Sequence, residues 1–85
     1  MSKRDKLIKR LKSKPKDFTY NELKSLLSGL GYIESNSGST SGSRVSFYNK
    51  EVDHLMKLHK PHPSNILKSY LVDYVIEELT KYEMI

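Results

Sequence analysis

Apolar residues recur at helical spacing near both ends of the chain and alternate with polar residues between them. Leu7, Ile8 and Leu11 form one stripe, predicting a short helix from about Asp5 to Lys12 that Pro15 ends. Leu23, Leu26, Leu27 and Leu30 follow at i, i+3, i+4 and i+7, predicting a second helix over 20–30. Thr19 and Glu22 mark its start as a capping box, in which each side chain satisfies a free backbone N–H of the first turn. Phe18 precedes the cap and is placed to pack on Leu23. Gly31 stands where a left-handed residue closes a helix.

The period then drops to two. Tyr32 to Asn36 reads as a short strand. Residues 35–43, SNSGSTSGS, contain nothing apolar and read as a loop. That loop is either a plain connector or one whose backbone N–H groups, at Gly42 and Ser43, close around a phosphate. Strand 43–48 follows, with Val45 and Phe47 on one face and Arg44, Ser46 and Tyr48 on the other. Asn49 to Asp53 supplies a turn. The strand His54 to His59 sets Met56 and Leu58 against Lys57 and His59. Matching the apolar faces across so short a turn pairs Phe47 with Met56 and Val45 with Leu58. Arg44 then stands opposite His59, with Cβ atoms roughly 5 Å apart. Pro61 and Pro63 break the ladder. Leu71, Val72, Val75, Ile76 and Leu79 predict a last helix from about Ser69 to roughly Tyr82. The order is α-α-β-β-β-α, an α+β domain with a three-stranded antiparallel sheet packed by helices on one face.

Length permits one domain over residues 1–85, with a basic helix and linker at 1–16 and the core at 17–85. The apolar fraction is 36%, and six Tyr and two Phe add bulk to a small core. The absence of Cys removes disulfides and thiolate metal sites and fits a reducing cytoplasm. No run of apolar residues is long enough for a spanning helix, and MSKRDKLIKRLKSK lacks the apolar core of a signal peptide. The expectation is a soluble, cytoplasmic protein.

Charge points toward a partner. The net charge is +5, and Lys3, Arg4, Lys6, Lys9, Arg10, Lys12, Lys14 and Lys16 crowd the first sixteen positions. Such a cluster creates a field that attracts phosphate polyanions, with Lys9 and Arg10 as candidate RNA contacts. A solvated, lysine-rich helix is the alternative. A membrane surface is disfavoured because the segment has no broad apolar face. No GxSxG, Walker loop or dinucleotide fingerprint occurs, so nothing calls for a cofactor. His54, His59 and His62 lie close in sequence, but alternation sends His54 and His59 to opposite faces, so no metal is expected. Glu77 and Glu78 are expected to be solvated rather than a carboxylate pair for acid–base work.

The capped leucine helix ending in LGY, the segment SGSRVSFYN, and LHKPHPSN before a terminal helix together resemble the HicA toxins. These are small ribonucleases of bacterial and archaeal toxin–antitoxin systems, and the resemblance spans about residues 18–85. It implies a fold like that of double-stranded-RNA-binding domains, binding and cleavage of messenger RNA, and a HicB-like antitoxin that covers the active face. The chain departs from the family at one position. The family's catalytic histidine follows a glycine-serine pair, and Arg44 stands there in this chain.

Metal-independent RNA cleavage uses the 2′-hydroxyl as nucleophile. It needs a base, an acid for the leaving oxygen, and positive charge near the phosphate. Arginine holds phosphate bidentately but stays protonated, so Arg44 suits charge stabilisation and not proton transfer. Imidazole titrates near neutrality and suits the other roles. His59, beside Arg44 in the predicted register, is the first candidate and His62 the second. Lys57 and Lys60 add phosphate attraction, and Tyr48 is placed to stack on a base. The plainer alternatives are backbone-bonded histidines, an exposed strand arginine and a tyrosine packed across the strand pair. Two other functions compete with the toxin: a non-catalytic RNA-binding module, and an antitoxin or protein-interaction domain.

Overall fold

The Thr19 hydroxyl accepts from the Glu22 N–H at 3.2 Å, and the Glu22 carboxylate accepts from the Thr19 N–H at 3.0 Å. The predicted capping box is therefore closed from both sides. The computed structural model describes residues 3–35, 44–61 and 64–85. Its elements are α1 (Lys3–Lys12), α2 (Tyr20–Gly29), β1 (Tyr32–Ser35), β2 (Arg44–Asn49), β3 (His54–His59) and α3 (Ser69–Lys81). The order is α-α-β-β-β-α, as the hydrophobic periods predict.

Helix ends follow local backbone rules. After α2, Gly31 adopts φ +99, and a Cβ there would come within 3.3 Å of Asn49 Nδ2. Helix α3 closes with Glu83 at φ 57, the Met84 N–H bonded to the Leu79 carbonyl and the Glu83 N–H to the Thr80 carbonyl. This is the paired left-handed closure that satisfies orphan carbonyls.

The sheet is antiparallel with order β1-β2-β3. Across β2 and β3 the pairs are Arg44–His59, Val45–Leu58, Phe47–Met56 and Asn49–His54, the register deduced from the apolar faces. Asn49 ends β2 instead of opening the turn. Its Nδ2 donates to the Leu30 carbonyl at 3.1 Å and its Oδ1 accepts from the Glu51 N–H at 3.0 Å. A buried amide with both ends bonded holds the strand one residue longer than the apolar alternation suggests.

Val45, Phe47, Met56 and Leu58 turn toward the helices and join Leu23, Leu26, Leu27, Val72, Val75 and Leu79 in one core. Leu11 is fully buried in that core, with Leu7 and Ile8 packed against it. Helix α1 is thus a layer of the domain. Arg10 fixes it, with Nε donating to Glu22 Oε2 at 2.8 Å and Nη2 to Asp17 Oδ1 at 3.0 Å. Beyond β3, the Tyr20 N–H bonds the Asn65 carbonyl and the Leu67 N–H bonds the Phe18 carbonyl, each at 2.8 Å. These two bonds tie the chain after the proline segment to the start of α2.

Candidate nucleic-acid interface

With the helices on one side, the other face of the sheet is open. Alternation places Ile33 and Ser35 of β1, Arg44, Ser46 and Tyr48 of β2, and Leu55, Lys57 and His59 of β3 on it. The register sorts them into cross-strand rows. Arg44 faces His59, Ser35 and Lys57 flank Ser46, and Ile33 and Leu55 flank Tyr48. Arg44, Val45, Ser46, Lys57, Leu58 and His59 line a shallow depression at the first of these rows.

This end of the face is cationic and uncompensated. Arg44, Lys57 and His59 are exposed, and no carboxylate among the described residues lies within ion-pair distance of them. Two cations and an imidazole around a depression can hold phosphate oxygens, and the imidazole can also move a proton. At the far end, the Tyr48 hydroxyl donates to Asp53 Oδ1 at 2.8 Å, which fixes the ring and raises the phenol above its ordinary range.

The other predicted contacts lie elsewhere. Lys9 is exposed on α1, on the helical side of the domain. Arg10 is committed to Glu22 and Asp17, and these bonds raise its guanidinium further, so it acts in the scaffold. Lys60 leans over the Tyr20 ring, with Nζ 5.8 Å from its centroid, and not toward the open face. Gly42, Ser43 and His62 lie outside the described residues.

Glu78 corrects the sequence reading. It is not solvated like Glu77, because its Oε1 lies 3.0 Å from Nε2 of the buried His54. A carboxylate only accepts, so Nε2 carries the hydrogen of that bond, and Nδ1 lies 2.6 Å from the Tyr32 hydroxyl. Burial pushes the Tyr32 phenol up to about 12. The bond from His54 holds Glu78 below the usual carboxylate range despite its partial burial. Tyr82 stacks on the imidazole at 3.7 Å. The sequence signal was present: His54 shares the inward face with Met56 and Leu58, and Glu78 is one turn on from Val75.

His54 therefore points into the core and His59 away from it. Among the described residues no three His, Cys, Asp or Glu side chains group in a way that would hold a metal ion. None of the described helices is long and apolar enough to cross a membrane. No family model, curated protein or solved structure matches the chain.

Proposed function

We propose that this protein is an RNA-cleaving toxin of the HicA type, acting through the cationic end of the open sheet face. The observation that carries this reading is the pairing of Arg44 with His59 across β2 and β3, beside Lys57, with no carboxylate among the described residues within ion-pair distance of them. In the proposed reaction Arg44 and Lys57 hold the non-bridging oxygens of one phosphate. His59 takes the proton of the adjacent 2′-hydroxyl, whose oxygen attacks phosphorus. A 2′,3′-cyclic phosphate forms, and the 5′-oxygen leaves with a proton from water. No step requires a metal or cofactor. A HicB-like antitoxin is the proposed protein partner, with RNA as substrate.

A second reading rests on the same face. Among its described residues His59 is the one imidazole, and a single proton-transfer group also suits RNA binding without cleavage. Incubating labelled, partly structured RNA with the purified protein in excess chelator separates the two. Cleavage that is lost in both Arg44→Ala and His59→Ala supports the toxin. Intact RNA that stays bound assigns a binding module, and full cleavage by both variants removes Arg44 and His59 from the chemistry.

A further inference from the structure

The open face has a second half that phosphate binding leaves unused. Ile33, Tyr48 and Leu55 are direct partners across the three strands, and they are 68%, 40% and 47% exposed. An apolar row set across all three strands is costly to leave in water, and here it shares one face with the cationic end. Strand spacing makes the row about 10 Å wide. It lies about 13 Å along β2 from Arg44, a distance that a short stretch of extended single strand spans.

We propose that Tyr48, flanked by Ile33 and Leu55, is a stacking platform for an unpaired RNA base. The strand's phosphates would then run toward Lys57, Arg44 and His59. The inference rests on the RNA reading above and narrows its substrate class to single-stranded or looped RNA.

Three observations support it. The tyrosine is central, so a base laid on it also covers an aliphatic side chain to either side. Its ring is held by the bond to Asp53, so little side-chain freedom is lost when a base arrives. Charge is graded along the face: the turn beyond the apolar row, with Lys50, Glu51 and Asp53, carries one net negative charge and the cations stand at the other end, so a polyanion is oriented away from the turn. The interior bases of a duplex cannot use the platform, because they are stacked on one another and present only their edges.

The test is anisotropy of a short labelled oligoribonucleotide with no secondary structure, of its blunt duplex, and of the same strand carrying one abasic nucleotide. The expected result is preference for the single strand. Tyr48→Ala should lower that affinity about tenfold and leave duplex affinity unchanged. Leu55→Ala should give a smaller loss. An abasic nucleotide at the platform position should weaken wild type but not Tyr48→Ala, since both changes remove the same contact. If both variants bind the single strand as wild type does while Arg44→Ala weakens binding, the RNA face stands and the platform is overturned, leaving the row to a protein partner. If wild type binds none of the RNAs, the RNA reading itself falls, and the platform with it.

Discussion

Nε2 of His54 lies 3.0 Å from Oε1 of Glu78, joining the first residue of β3 to the last turn of α3. The imidazole is 1% exposed and also hydrogen-bonds the Tyr32 hydroxyl and stacks on Tyr82. Replacing it leaves a phenol and a carboxylate without their partner and opens a cavity between sheet and helix. His54→Ala should therefore cost about 2–4 kcal/mol in urea unfolding. Glu78→Gln keeps an acceptor at the same place and should cost about 1 kcal/mol. Equal losses for the two would show that the carboxylate charge, and not the packed ring, carries the contact.

Acid should unfold the protein through a small set of carboxylates. Arg10 holds Glu22 below the usual carboxylate range, and His54 does the same for Glu78. At Glu34 burial pushes the carboxyl up, but hydrogen bonds from Tyr20 and Lys24 outweigh it and the net direction is down. Groups depressed in the folded state bind protons more readily in the unfolded chain, so stability rises with pH through the acid range. Their contribution is complete above the unfolded value of about 4.3 and disappears as pH falls through the lower folded values. Thermal melts should show a midpoint that is flat from neutrality to about pH 5 and falls below it. Glu34→Gln should flatten that fall; an unchanged profile would exclude Glu34 as a contributor.

Leu11 tests the place of α1. Its side chain is fully buried in the core, on a helix that packs on α2 and α3 and is no detached basic arm. Leu11→Ala should cost about 2–5 kcal/mol, the range for emptying a buried leucine site. A loss below about 0.5 kcal/mol would mean that α1 is detached in solution.

Much of this fold is legible in the chain because each element carries a local signal. The Thr19–Glu22 box, Gly31, and the odd–even split of Val45 and Phe47 from Arg44 and Tyr48 each state one structural fact. The short β2–β3 turn then leaves one register, from which the Arg44–His59 pair follows. What the sequence conceals is set by neighbours distant along the chain. Arg10 looks like any other cation of a basic run, and only its approach to Glu22 and Asp17 reveals a clamp. Lys60 is drawn to Tyr20 in the same way. Glu78 reads as solvated because helical periodicity ranks it by polarity, whereas His54, 24 positions earlier, supplies the donor that lets it approach the core.

Salt dependence distinguishes the two sides of the domain. Each phosphate neutralised on a single strand releases about 0.7 counterion, which sets the slope of log affinity against log salt. Arg44→Ala and Lys57→Ala should each reduce that slope, by about 0.7 when combined, because both cations hold the same proposed phosphate. Lys9→Ala should leave it unchanged, since Lys9 projects from the helical side. Tyr48→Ala should weaken binding at every salt concentration in equal proportion, because a stacked base displaces no counterion. A reduced slope for Lys9→Ala, with none for Lys57→Ala, would move the RNA path to α1 and assign the open sheet face to another partner.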